Sequence, residues 1–262
     1  MTTKPNYANW VPKKLTVMLG VISVVCTALF ATSFIPGTNT VWIIVRIVLG
    51  LTSCFFLFFF FYMSHARKLL SYEGGGVQGK VLDNVLSYLK WDGQGKLLDI
   101  GCGSAAMTIK AAKKYPNGKM IGTDYWGAGW DYAQSQCEQN AAIEKVANQV
   151  SFQKGDAAIL DFSDGIFDAA ISNFVFHEVK TQPDKTALIK EALRVIKPGG
   201  VFSFSDMFYS KGVYKDLDAM VRELSKEVSE IHFVDTRKND FTPKFLPTPM
   251  IIGDMGLIYG IK

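Results

Sequence analysis

The chain has 262 residues, 48% of them hydrophobic, and a formal net charge of +4. No Asp or Glu precedes Glu73, whereas Lys4, Lys13, Lys14, Arg46, Arg67 and Lys68 do, so 22 basic residues face 24 acidic ones from Glu73 onward. That slightly acidic remainder argues against a nucleic-acid partner, and the four cysteines show neither a C-x-x-C pair nor a Cys/His spacing, so neither a metal nor a disulfide framework is expected.

Leu15 to Ile35 is an uncharged apolar run of 21 residues, and Val41 to Met63 is a second of 23 with one charge, Arg46. About 20 residues cross a bilayer as a helix. Residues 1–70 therefore read as a membrane anchor of two transmembrane helices joined by Pro36 to Thr40. A signal peptide would have an apolar region of about 7–15 residues and would not normally precede a second span. Lys13 and Lys14 before the first span, with Arg67 and Lys68 after the second, assign both termini and the following domain to the cytoplasm. Arg46, near the outer end, is expected to snorkel to the headgroups. The cluster from Phe55 to Tyr62 is expected to face lipid or pack the hairpin.

Residues 71–262 form the second expected domain. After Gly74 to Gly76, the residues Val81, Leu82, Val85, Leu86 and Leu89 recur with helical spacing. Lys96 to Ala106 reads as a strand, a tight turn and the start of a helix. Leu97, Leu98 and Ile100 make a buried apolar run, Asp99 interrupts it, and Gly101 and Gly103 let the backbone turn where a side chain would obstruct a ligand. Helices are then expected at Ala105 to Lys114, Tyr132 to Val146, Thr186 to Ile196 and Lys215 to Val228. Strands are expected at Lys119 to Asp124, Val150 to Lys154, Phe167 to Ser172 and Val201 to Asp206. Such alternation builds an α/β, Rossmann-like, doubly wound sheet covered on both faces. The last two strands, Glu230 to Asp235 and Gly256 to Ile261, lack a helical pattern between them, where Pro243, Pro247 and Pro249 fall, and are expected to pair antiparallel at one edge.

Gly101-Cys102-Gly103 with Ala106 also satisfies the loose dinucleotide fingerprint, which leaves a membrane-bound nucleotide-dependent oxidoreductase open. Asp99 separates the two readings. A carboxylate at the lip of the turn repels a pyrophosphate and suits the ammonium and sulfonium of S-adenosyl-L-methionine, with backbone N–H groups at the helix start left to face the ligand. Asp124 ends the second strand beside the turn and is suited to accept from both ribose hydroxyls; its plainer alternative is a helix N-cap. Tyr125 and Trp126 follow, to pack on sugar or adenine or to join the core. After the third strand, Asp156 offers a carboxylate for the adenine amino group and Ala157 a backbone N–H for the ring, unless Gly155-Asp156 is only a turn. After the fourth strand, Asn173 stands on the donor side and His177, beside Glu178, on the lip where an acceptor approaches.

Together these stretches resemble the class I S-adenosylmethionine-dependent methyltransferases over Val77 to Lys262. Leu98 to Ser104 matches the first motif, Gly122 to Asp124 the second, Gly155 to Ala157 the third and Phe167 to Asn173 the fourth, while Glu191 to Gly200 resembles the lead into the fifth strand. The resemblance implies seven strands with the last antiparallel, and S-adenosyl-L-methionine as cofactor. Ala105 departs from the pattern where many members carry a third glycine. The fourth motif also lacks the Asn/Asp-Pro-Pro-Tyr form of enzymes that methylate nucleobase amines. Phe167 to Glu178 is similar to the segment of plant-type O-methyltransferases in which a histidine beside Asp is the general base, with Glu178 for Asp, and that likeness implies His177 in this role; its plainer alternative is a residue that caps or packs the next helix. The expectation is a membrane methyltransferase acting on a small or lipid-like acceptor, by O-methylation if His177 serves as the base, with N- and C-methylation left open. A non-catalytic S-adenosylmethionine-binding module would share the same features.

Overall fold

A computed structural model describes residues 4–73, 76–127, 133–239 and 253–262. The chain divides into two compact units, Asn9–Gln78 and a larger one made of Met1–Ala8 with Gly79–Lys262.

In the smaller unit, α1 (Lys13–Thr32) and α2 (Thr40–Leu69) form a helical hairpin. Small and hydroxyl-bearing residues line its seam. A β-carbon on Gly20 or Gly50 would meet the ring of Phe60 or Phe30 at 3.1 Å, and Thr27 Oγ1 lies 2.8 Å from Ser53 Oγ. Large apolar side chains turn outward, with Leu51 69% and Phe58 68% exposed. This inside-out distribution is what helices packing in lipid adopt, since close approach and interhelical hydrogen bonds replace hydrophobic burial. Asn39 caps α2 by accepting from Trp42 N at 3.1 Å. Arg46 reaches the hairpin connection. Its guanidinium donates to the carbonyls of Ser33, Pro36 and Gly37 at 3.1, 2.9 and 2.7 Å, and lies 4.8 Å from the Phe34 ring centroid. It satisfies carbonyls that a helix end and a tight connection leave without donors.

In the larger unit, α3 (Val77–Tyr88) leads to β1 (Lys96–Ile100), α4 (Ala106–Lys114), β2 (Lys119–Asp124), α5 (Gln134–Ile143) and β3 (Val150–Lys154). Then follow β4 (Phe167–Asn173), α6 (Lys185–Arg194), β5 (Ile196–Asp206), α7 (Leu217–Leu224), β6 (Glu230–Asp235) and β7 (Gly256–Ile261). The seven strands lie in the order β3-β2-β1-β4-β5-β7-β6. Leu98 of β1 pairs in parallel with Ile121 of β2 and Ala170 of β4, and β7 runs antiparallel to both β5 and β6. This is the Rossmann-like seven-stranded arrangement with an antiparallel last strand.

The fifth strand starts earlier than the expected Val201: β5 begins at Ile196, its ladder with β4 pairing Phe167 with Ile196 and resuming at Ala169 with Val201 after a register shift, and Gly199 takes a left-handed φ of 80°. The start of α5 expected at Tyr132, and the three late prolines, lie outside the described residues. Leu98, Ile100, Phe167, Ala170, Phe176, Phe202 and Phe204 pack with Leu188, Ile189, Ala192 and Leu193 of α6 in the core. Strand order reverses between β1 and β4, and in such sheets ligands sit at the strand C-termini beside that reversal.

Candidate active site

The turn after β1 is bound back onto β2. The N–H groups of Gly101 and Cys102 both donate to Thr123 O, at 2.8 and 3.0 Å, and Gly103 N donates to Asp124 Oδ2 at 2.8 Å. Ala105 N donates to Cys102 O at 2.8 Å. These turn amides are committed to the protein; the expectation that N–H groups face the ligand concerned the start of the following helix, α4. Gly101 is required for packing as well: with φ at 71°, a β-carbon there would collide with the Val175 side chain. The turn shapes a cradle rather than supplying donors. Cys102 is buried in it, and burial pushes its thiol well above the ordinary range.

Asp99 is wholly buried. Its Oδ2 accepts from Thr108 Oγ1 at 2.6 Å, while Oδ1 has no hydrogen-bond partner. Burial, reinforced by the nearby Asp124 charge and opposed by Thr108, raises its carboxyl to about 7. On the adjacent strand, Asn173 Oδ1 is likewise buried without a partner. Ile171 pairs with Asp99 in register and Asn173 lies two residues further, so the strand period puts both orphaned acceptors on one face of the sheet. Two buried acceptors lacking donors fit the ammonium of S-adenosylmethionine.

Asp124 accepts from Gly103 N and Trp126 N, each at 2.8 Å, and burial raises its carboxyl above the usual range despite these bonds. Trp126 folds back, its Nε1 donating to Gly103 O at 2.9 Å. Tyr125 is 63% exposed and so belongs to no core; Lys154 Nζ stands 5.3 Å from its ring centroid. Asp156 closes its own turn by accepting from Ala158 N at 2.9 Å, and Thr181 Oγ1 donates to it at 3.0 Å. Ala157 is half-buried within that turn.

His177 lies just past β4. Its Nδ1 is 2.7 Å from Asp206 Oδ1, and its backbone N–H donates to Asp206 Oδ2 at 3.3 Å. Asp206 is wholly buried at the end of β5 and also accepts from Met207 N at 2.6 Å. A carboxylate oxygen accepts, so Nδ1 carries the proton and Nε2 is the open nitrogen. Glu178 Oε1 stands 3.7 Å from Nε2, beyond hydrogen-bond reach. Burial lowers the His177 pKa, but the Asp206 hydrogen bond and charge, with Glu178, more than offset it and leave it raised. Sequence reasoning missed Asp206. Its signal was available, since it ends an apolar strand as Asp124 does, but its partner was not.

Among the described residues around the site, the non-glycine residues Ala105, Trp126 and Phe174 adopt left-handed backbone, with φ of 68°, 43° and 56°. Such conformations cost on the order of 1–3 kcal/mol each and persist where the surroundings over-determine them.

Residues 92–246 match the family model described as a methyltransferase domain. The arsenite methyltransferase of Aquipseudomonas alcaligenes is 32% identical over 126 residues, 47% of this chain and 35% of that protein. A demethylmenaquinone methyltransferase of Staphylococcus haemolyticus is 33% identical over 106 residues, 40% of this chain and 41% of that protein. The chain thus spans well under half the length of these two relatives. Among solved structures, the geranyl diphosphate C-methyltransferase of Streptomyces coelicolor, in complex with S-adenosyl-L-homocysteine, superposes with a TM-score of 0.50 at 14% identity, covering 72% of this chain and 81% of that one, a likeness of fold. The family match falls on the strands that carry the glycine turn and covers more than half of the chain, which therefore belongs to the S-adenosylmethionine-dependent methyltransferases.

Proposed function

We propose that this methyltransferase is membrane-anchored, with residues 1–70 as anchor and 71–262 as a cytoplasmic catalytic domain, and that it methylates a hydroxyl of a small or lipid-like acceptor. The observation that carries the chemistry is the 2.7 Å contact between His177 and Asp206. S-adenosylmethionine, when bound, supplies an electrophilic methyl carbon on a sulfonium. The chain's own residues align the acceptor with that carbon and take the acceptor's proton. Asp206 keeps the proton of His177 on Nδ1, so Nε2 is the basic atom, and the 3.7 Å gap to Glu178 leaves Nε2 for an acceptor hydroxyl.

On the donor side, the orphaned oxygens of Asp99 and Asn173 would hold the ammonium and Asp124 the ribose. Asp156, Ala157 and the exposed Tyr125 ring would hold the adenine. Gly101, Cys102 and Gly103 form the cradle. The hairpin supports the membrane reading through its outward apolar side chains, which distinguish it from a buried core helix pair of similar length. An enzyme held in a bilayer meets acceptors that partition there, and the relative named for demethylmenaquinone supports an acceptor of that class.

Membranes carrying the full chain, incubated with donor labelled on its methyl group, test the proposal. Label in the solvent-extractable fraction, lost with His177→Gln, is expected. Label confined to protein would overturn it.

A further inference from the structure

We infer that the segment around Asn6 and Tyr7, acting with Asn140 of α5, clamps the donor turn from outside and holds Ala105 in a conformation that glycine would adopt unaided. The inference rests on reading the Gly101–Gly103 turn as the donor site. Asn140 is wholly buried 36 residues beyond Ser104. Its Oδ1 accepts from Asn6 N at 2.8 Å, and its Nδ2 donates to Asn6 O at 2.8 Å and to Ser104 O at 2.9 Å. Ser104 Oγ donates to Tyr7 O at 2.6 Å, and Tyr7 OH donates to Glu144 Oε1 at 2.9 Å. The N-terminal segment and α5 therefore meet on Ser104.

That residue matters because of the one after it. The peptide joining Ser104 to Ala105 rotates as Ala105 changes φ, and both its polar ends are pinned. Its C=O accepts from Asn140, and its N–H donates to Cys102 O at 2.8 Å. Alanine resists a φ of 68° and glycine does not. The bonds from Asn140 thus do for Ala105 what the absence of a β-carbon does for glycine. Cys137, on the same helix, supports the neighbouring carbonyl, with Sγ 3.1 Å from Gly103 O. None of Asn6, Tyr7 or Asn140 is assigned a contact with the donor; they are positioning residues.

The full chain in detergent, titrated calorimetrically with S-adenosylhomocysteine, provides the test. Asn140→Ala is expected to raise Kd by roughly tenfold or more, because it strips the Ser104 carbonyl and the Asn6 backbone of partners. Ser104→Ala, a milder change that keeps the fold if Asn140→Ala does not, is expected to raise it roughly threefold. Adding Ala105→Gly to either variant should return Kd to within about threefold of the parent chain, since glycine takes the left-handed conformation freely. A purely structural role would lower the melting temperature but would not be rescued in Kd by that glycine. Unchanged Kd in both single variants, or no rescue, overturns the clamp while a weakened Asp124→Ala control still upholds the donor site. If Asp124→Ala also binds normally, the donor-site reading falls with it.

Discussion

His177 Nδ1 and Asp206 Oδ1 come from positions 29 residues apart and meet at 2.7 Å beyond the C-terminal ends of the paired strands β4 and β5. Replacing His177 with Gln keeps hydrogen bonding at that corner but removes the base. General base catalysis is worth typically about 10²–10⁴-fold, so turnover should fall at least tenfold or so while donor Kd stays put. Near-normal turnover would return His177 to a structural role.

The same pair predicts a pH effect. Activity requires neutral His177, so kcat/KM rises as pH climbs through its raised pKa. Asp206→Asn removes the carboxylate that raises it and leaves the burial that lowers it, so the acid limb should move to lower pH as the plateau drops. Stability follows the same linkage: the pair stabilises the fold fully below the unfolded histidine value of about 6.5 and loses that contribution as pH rises through the higher folded value. A limb that stays in place would detach Asp206 from the titration.

Asp99 keeps its proton up to about pH 7 because it is buried. An unfolded aspartate titrates near 3.9, so this group stabilises the donor-free fold below about pH 4 and that contribution is lost as pH rises through about 7. Asp99→Asn should flatten the slope. An ammonium beside Oδ1 would favour the charged carboxylate, so donor binding slightly below neutral pH should release a proton. Calorimetry in buffers of different ionisation enthalpy measures that release, and none at all would move the ammonium elsewhere.

Asp124→Ala should weaken donor binding about 10- to 150-fold, the equivalent of about 1.5–3 kcal/mol for a hydrogen bond to a charged group. It should also cost the fold about 1–3 kcal/mol, since the N–H groups of Gly103 and Trp126 lose their acceptor. Asp124→Asn, which keeps one oxygen, should fall between. Equal Kd in folded Asp124→Ala would show that the ribose is held by other residues.

For the hairpin, a cysteine at Thr38 should react with an impermeant reagent from outside intact cells, and a reporter after Lys262 should be cytoplasmic. Reaction of Thr38→Cys only after the membrane is opened would reverse the orientation.

Much of this molecule is written locally. Leu97, Leu98 and Ile100 announce a strand buried on both faces, and Gly101 and Gly103 announce its turn, because periodicity and backbone freedom act over a few residues. Asp99 and Asp124 were legible as candidates for the same reason: each is a carboxylate closing an apolar run. What those carboxylates touch was not legible. Asp206 closes a strand no differently from Asp124, but its meeting with His177 depends on β4 pairing beside β5. Arg46 was legible only as a charge near the outer end of a span; its bonds to the carbonyls of Ser33, Pro36 and Gly37 depend on the hairpin bringing them within reach. Asn6 lies 134 residues from Asn140 and falls in no motif, yet it shares two hydrogen bonds with it. Spacing along the chain determines which elements form and which faces they bury. Which distant polar groups satisfy one another is decided only when the sheet order brings them within about 3 Å, the range over which a hydrogen bond acts.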